Sequence, residues 1–277
     1  MKKCVVNAAD AEVFLRNGLR KFDDFFDFSG GQTVNRNEKR DVTVLSLESA
    51  NGRPRIYYMK RFFCPHLKDM LFTIRNFGRL CSQAELEWRC AHILLKNGIE
   101  TYHPVGWGVQ TCCGIERRSF FITEKIDGRN LIDYLLEHWN GFDAAMQEKL
   151  VVGLARFFRS LHQAKLSLPD SYLWHLFVLE PSGAGDPFRF AIIDLHRMRL
   201  NAAAAKHAAY NLGALLFSLP DEWFDRRLRE LFLQAYLEPC GQEAVVDRQS
   251  FLAVLKKREQ TLIARRKKLS LERLKKM

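Results

Sequence analysis

Pro169-Asp-Ser-Tyr-Leu-Trp-His175, followed further along by Ile192-Ile-Asp-Leu-His196, decides how this chain reads. Two apolar runs lie between the acidic residues, His175-Leu-Phe-Val-Leu179 and Phe188-Arg-Phe-Ala-Ile-Ile193. They are joined by Glu180-Pro-Ser-Gly-Ala-Gly-Asp-Pro187, a Gly- and Pro-rich linker, so the pair is expected to form a β-hairpin. Folding it brings Asp170, His175 and Asp194 to one edge. One carboxylate for an acceptor hydroxyl, with a second carboxylate and a neutral ligand for a metal, is the arrangement that phosphoryl transfer uses. Aspartates also flank turns because their side chains bond the local backbone, so the spacing alone does not separate chemistry from turn formation.

Working outward, Asp41-Val-Thr-Val-Leu-Ser-Leu47 alternates like a strand, and Asn51-Gly52 signals a hairpin turn into Arg55-Ile-Tyr-Tyr-Met-Lys60. Lys60 is expected to close that second strand. Ser82-Gln-Ala-Glu85 has the form of a capping box, opening a helix to about Lys96 with Asn97-Gly98 as its stop. The helix carries an apolar stripe of Ala84, Trp88, Ala91 and Leu95, with Glu87 beside it. A carboxylate facing inward requires a cation, and Lys60 is the natural one. Residues 1–28 read as an amphipathic helical start. Pro104–Val109 and Ser119–Lys125 read as strands around a loop at 111–118. Helices are expected over Leu131–His138 and Ala144–His162. Strands first and helices later imply an α+β chain with a boundary near Gly128.

At 277 residues, 47% hydrophobic and 27% charged, the chain can bury a substantial core, which excludes global disorder. No apolar run reaches the length of a membrane span, and the polar residues Asn7, Asp10 and Glu12 disfavour a secretory signal. The seven cysteines show no zinc-ligand or disulfide spacing, which suits a reducing cytoplasm. The net charge is +11, and residues 251–277 hold ten Lys and Arg against Glu259 and Glu272. The rest of the chain is therefore nearly neutral. Leucines recur through that end at helical spacing, so a helix or two with a basic face is expected there. Such a helix suits an anionic membrane surface or nucleic acid, and equally a solvated face.

Taken in order, the chain presents Lys at a strand, Glu on the next helix, Asp-x4-His at a hairpin edge and Asp after the hairpin. This order resembles the protein-kinase-like fold, and within it the lipopolysaccharide core kinase family (Kdo/heptose kinases, WaaP-like). The residues that carry the likeness are Tyr58-Met-Lys60, Ala84-Glu-Leu-Glu-Trp88, Ile122-Thr-Glu124, Pro169–His175 and Ile193-Asp-Leu-His-Arg197. The resemblance implies a bilobal α+β fold. Residues 1–127 would form a small, mainly β N-lobe that binds nucleotide. Residues 128–277 would form a larger helical C-lobe with the catalytic hairpin and the basic tail. It implies ATP and Mg2+, with Lys60 on the α/β-phosphates held by Glu87, and Glu124 on the segment that holds adenine. Asp170 resembles the catalytic base and Asp194 the principal Mg2+ ligand, while His175 occupies the place of a second metal ligand. Imidazole is a soft ligand for Mg2+, so His175 orienting Asp170 or touching a phosphate stays open beside metal ligation.

The implied activity is phosphorylation of an inner-core heptose or Kdo sugar of a lipid-linked saccharide. It would take place at the cytoplasmic face of the inner membrane, with the basic tail on anionic lipid and no nucleic acid as partner. Three departures stand out: Leu168-Pro169 where His-Arg is usual, no G-x-G-x-x-G, and Asn211 where the family's later helix has Asp. The first argues against control by loop phosphorylation. Together they leave a weak or inactive pseudokinase that binds nucleotide as one alternative; a protein or small-molecule kinase on the same fold is the other.

Overall fold

Asn51-Gly52 does turn the chain, with Gly52 at φ +73°, a value that costs glycine little. It joins β3 (Arg40–Glu48) to β4 (Pro54–Phe63), whose register pairs Val42 with Lys60. β4 runs three residues past Lys60, so the lysine lies inside the strand and not at its end. The computed structural model describes residues 1–179, 188–238 and 247–274, the stretch 267–274 as backbone alone. The chain divides into two units, Met1–Ile126 and Asp127–Met277.

The first unit is built on an antiparallel sheet ordered β1-β5-β6-β4-β3-β2, adding β1 (Lys2–Val6), β2 (Gln32–Arg36), β5 (Pro104–Cys112) and β6 (Ile115–Glu124). The chain start thus differs from the expected helix. Lys2–Val6 is a strand because it pairs with β5, a partner about a hundred residues away, Lys2 opposite Gln110. After it come α1 (Ala8–Arg16) and α2 (Phe22–Phe26). They lay Phe14, Phe22, Phe25 and Phe26 against the sheet face that carries Leu45, Leu47, Tyr57, Met59, Phe120 and Ile122. Phe14 and Phe25 meet edge-on at 5.2 Å, and Phe25 stacks on Phe120 at 5.1 Å. Each such ring contributes roughly 1.5–3 kcal/mol by leaving water. Strand alternation sends Lys60, between buried Met59 and half-buried Arg61, to the opposite face.

On that face lies α4 (Gln83–Lys96), within the bounds its sequence signals imply. Ser82 Oγ accepts from the Glu85 N–H at 3.1 Å. The reciprocal half of the box is absent, because Glu85 turns its carboxylate to Arg79 and Arg89. Glu116 satisfies a different donor of the first turn, accepting from the Gln83 N–H at 2.9 Å. Burial pushes the Glu116 carboxyl up to about 7 against the hydrogen bonds from Ser119 and Gln83. The buried face of α4 is Ala84, Leu86, Glu87, Cys90, Ala91 and Leu94, so Glu87 sits within the stripe, and Trp88 and Leu95 are only half-buried. An additional helix, α3 (Leu67–Phe77), precedes it, in a segment whose sequence carried no assignment.

The second unit opens with β7 (Gly128–Asn130), paired to β8 (Leu176–Leu179), which pairs with β9 (Arg189–Ile192). The expected hairpin forms, with Leu176 opposite Ile192, while residues 180–187 lie outside the described residues. Around it are α5 (Leu131–His138), α6 (Ala144–Gln163), α7 (Ala205–Ser218), α8 (Arg226–Leu237) and α9 (Arg248–Leu274). The fold is α+β, an antiparallel sheet followed by a mainly helical part. α9 is one helix that packs on α7, and it buries Phe251, Leu255 and Leu262, with Phe251 stacked on Tyr236 of α8. The basic end of the chain is thus helical, as its leucine spacing implies, and its apolar side is buried as far as Leu262. Gly213 on α7 makes the approach possible, since a Cβ there would lie 2.7 Å from the Leu255 carbonyl oxygen. No described helix is long and apolar enough to cross a membrane.

Candidate active site

Lys60 and Glu87 meet in the first unit. The ammonium lies 2.5 Å from Glu87 Oε1, with the lysine side chain 15% and the glutamate 1% exposed. Tyr102 donates its hydroxyl to the other carboxylate oxygen at 2.9 Å. Glu87 is thus a buried carboxylate matched on both oxygens, and it holds the lysine as an oriented point charge.

Glu124 ends β6. Its backbone N–H donates to the His103 carbonyl at 3.0 Å and its carboxylate pairs with Arg55, which also reaches Asp10 at 2.9 Å. The next N–H, of Lys125, donates to the Ile56 carbonyl at 3.2 Å.

Asp170, His175 and Asp194 come together in the second unit, on the loop from α6 to β8 and the end of β9. The loop is tied to α7 at two points. The Leu168 N–H donates to Asn211 Oδ1 at 2.9 Å and the Leu173 N–H to Ser218 Oγ at 2.8 Å. Ser171 also donates its hydroxyl to the Leu168 carbonyl. His175 Nδ1 lies 2.8 Å from the Asp170 backbone carbonyl. A carbonyl only accepts, so Nδ1 carries a proton. Nε2 lies 3.7 Å from Asp194 Oδ2. A ring nitrogen beside a carboxylate oxygen is a donor set that can hold a divalent metal, with Asp194 supplying the hard oxygen that Mg2+ prefers. Metal ligation and loop positioning, open from the sequence, are compatible here, because they use different nitrogens of His175.

Asp194 adopts a left-handed backbone, φ 65° and ψ 65°, a conformation that Asp and Asn accept better than most residues. His196 Nδ1 lies 2.8 Å from its other oxygen, Oδ1, and orients the carboxylate. Arg197 brings a guanidinium to 3.3 Å from Asp170 Oδ2. Neither His196 nor Arg197 was singled out from the sequence. The only signal was their place directly after Asp194.

Asn211 explains its own departure from Asp. Its Oδ1 accepts from the Leu168 N–H and also faces His162 Nε2 at 3.1 Å, so Nε2 donates and Nδ1 accepts from the Tyr236 hydroxyl at 2.9 Å. Burial lowers the His162 pKa from 6.5 to about 4. A neutral amide suits a neutral imidazole, where a carboxylate would pull a proton into the core. The sign of the linkage follows. The unfolded chain takes up a proton near pH 6.5 and the folded protein does not, so this stabilisation is complete above pH 6.5 and declines as pH falls toward 4. Urea unfolding at a series of pH values is expected to show about 3 kcal/mol of pH-dependent stability that His162→Gln removes.

Residues 27–236 match the family model described as Lipopolysaccharide kinase (Kdo/WaaP) family. The chain belongs to this family. It is 26% identical over 189 residues to the lipopolysaccharide core heptose(I) kinase WaaP of Pseudomonas aeruginosa, spanning 67% of this chain and 70% of that protein. To the protein of the same description from Escherichia coli K12 it is 24% identical over 182 residues, 65% of this chain and 63% of that one. The fold matches a solved structure, WaaP in complex with acyl carrier protein, at TM-score 0.69 and 22% identity, over 94% of this chain and 99% of that one. The Kdo/WaaP kinases are phosphotransferases of lipopolysaccharide synthesis, so ATP is the donor that family membership implies.

Proposed function

We propose that this protein transfers the γ-phosphoryl group of ATP to a hydroxyl of an inner-core heptose or Kdo sugar of lipopolysaccharide. The observation that carries it is the convergence of Asp170, His175 and Asp194, with His175 Nδ1 on the Asp170 carbonyl and Nε2 3.7 Å from Asp194 Oδ2. In this reading residues 1–127 serve nucleotide binding, with Lys60 on the α/β-phosphates and the Glu124 carbonyl on adenine. Residues 128–277 serve acceptor and metal. Asp170 accepts the proton of the attacking hydroxyl, and Asp194 with His175 would hold Mg2+. The ion would neutralise charge developing on the β- and γ-phosphate oxygens. His196 keeps the Asp194 carboxylate turned to its task.

The test is transfer of labelled phosphate from ATP to purified core saccharide, read by mass spectrometry. Nucleotide binding without any transfer, with and without Mg2+, would favour the pseudokinase alternative and sink the proposal.

The same reading places the protein at the cytoplasmic surface of the inner membrane, supported by the exposed bases Lys256, Lys257 and Arg266 on α9. Reversing all three to Glu is expected to weaken binding to phosphatidylglycerol vesicles about a hundredfold, at roughly 1 kcal/mol per residue. Unchanged sedimentation with vesicles would remove α9 as the membrane contact.

A further inference from the structure

The surface next to Asp170 carries features that none of the roles above use. Tyr172 and Trp174 stack with ring centroids 4.6 Å apart and planes 12° apart. Trp174 nevertheless remains 44% exposed, and Tyr210, on α7, 39% exposed. Large exposed aromatics held rigidly are uncommon without a partner surface. The hold here is specific. Asn130 Nδ2 donates to the Trp174 carbonyl at 2.9 Å, Ser218 fixes the Leu173 N–H, and Phe217 meets Tyr172 edge-on at 6.4 Å.

Arginines flank these rings. The Arg258 guanidinium lies 4.0 Å over the Tyr210 ring. Its stem runs across Gly213, where an added Cβ would meet Arg258 Cβ at 2.8 Å. No carboxylate pairs with Arg258 among the described residues, and its Nε is a buried donor without a partner. Arg265 follows two turns later on the same side of α9. The Tyr172 hydroxyl senses the whole group. Asp170, Tyr210, Arg258 and Arg265 all lie within its electrostatic reach. Asp170, the aromatic rings and two cations therefore share one neighbourhood.

We propose that Tyr172, Trp174, Tyr210, Arg258 and Arg265 form a binding face for an anionic saccharide, the acceptor on which Asp170 acts. A sugar ring has an apolar C–H face that covers an aromatic plane and a rim of hydroxyls that stays wet. A carboxylate or phosphate substituent then meets a guanidinium, whose fork matches it in two places. A neutral glycan would use the rings and leave both arginines unmatched. The face thus selects for charge. Its place beside Asp170 makes the bound saccharide the acceptor, a step that rests on the function proposed above; the binding itself does not.

The test is binding of deacylated, lipid-free lipopolysaccharide core oligosaccharide to the full chain without ATP, by isothermal titration, with neutral maltoheptaose as the control. Trp174→Ala and Arg258→Gln are each expected to raise Kd about tenfold or more, and Trp174→Phe to stay within about threefold. Arg265→Gln, at an exposed position, gives the same loss if reduced folding clouds the Arg258 result. In phosphate transfer the same variants raise KM for saccharide and leave KM for ATP unchanged. Equal affinity for maltoheptaose, or a Kd indifferent to Trp174→Ala, Arg258→Gln and Arg265→Gln, overturns the proposal. Saccharide binding that depends on these residues without phosphate transfer would uphold the face and remove the kinase reading instead.

Discussion

Asp194→Asn is expected to leave the protein folded and to lower phosphate transfer from ATP by roughly 10³-fold or more, the scale on which charge stabilisation acts in phosphoryl transfer. Asparagine is the informative replacement. It keeps the size of the side chain and tolerates the left-handed backbone at this position, φ 65°, whereas alanine adds about 1 kcal/mol of backbone strain. What asparagine removes is the carboxylate charge 3.7 Å from His175 Nε2. The expected signature is a collapse of kcat at every Mg2+ concentration, with a melting temperature within a few degrees of the parent. Asp170→Asn tests a different function, acceptance of the hydroxyl proton. It should lower kcat roughly 10²–10⁴-fold while ATP affinity persists. Full activity in Asp194→Asn would exclude that residue as metal ligand, and full activity in Asp170→Asn would exclude proton transfer to it.

The second large effect belongs to Lys60 and Glu87, and here stability and catalysis must be separated. Lys60→Met strands the Glu87 carboxylate, which is 1% exposed and keeps the Tyr102 hydroxyl on its other oxygen. Breaking one side of such a pair costs about 3–5 kcal/mol, so reduced activity alone would not distinguish a damaged fold from a lost phosphate contact. The double variant Lys60→Met, Glu87→Met resolves this. Removing both charges is expected to recover most of the stability, because neither is left unmatched, while ATP affinity remains at least about tenfold weaker than in the parent. Thermal unfolding and nucleotide titration on the three proteins give both quantities. A double variant that regained ATP affinity along with stability would reduce the pair to a structural role.

These residues differ in how far they could be read before any fold was known. α4 was legible because its signals are local: Ser82 caps it, Asn97-Gly98 ends it, and both act within one turn. The hairpin around β8 and β9 was legible for the same reason, its alternation and its turn residues being contiguous. The Lys60–Glu87 bond followed from one inference, that an inward carboxylate requires a cation, though Glu87 proved to lie inside the buried stripe and not at its edge.

The failures have one cause. β1 is a strand only because β5 offers it an edge, and β2 is exposed throughout, so neither carries a burial pattern. The basic end of the chain was legible as a helix, but its packing was not. What seats it on α7 is the close approach that Gly213 allows to Leu255 and Arg258. Asn211 looked like a defect in a motif until its oxygen was seen between the Leu168 N–H and a neutral His162.

Local chemistry thus belonged to the amino-acid order itself: which residues could act, which segments turn, where helices begin. Contacts across long stretches of chain decided the rest, namely the tautomer of His175, the partners of His196, Arg197 and Asn211, and the aromatic face beside Asp170. The physical reason is that a hydrogen bond or a stacked ring depends on distance in space, and distance along the chain predicts it only within a turn or a hairpin.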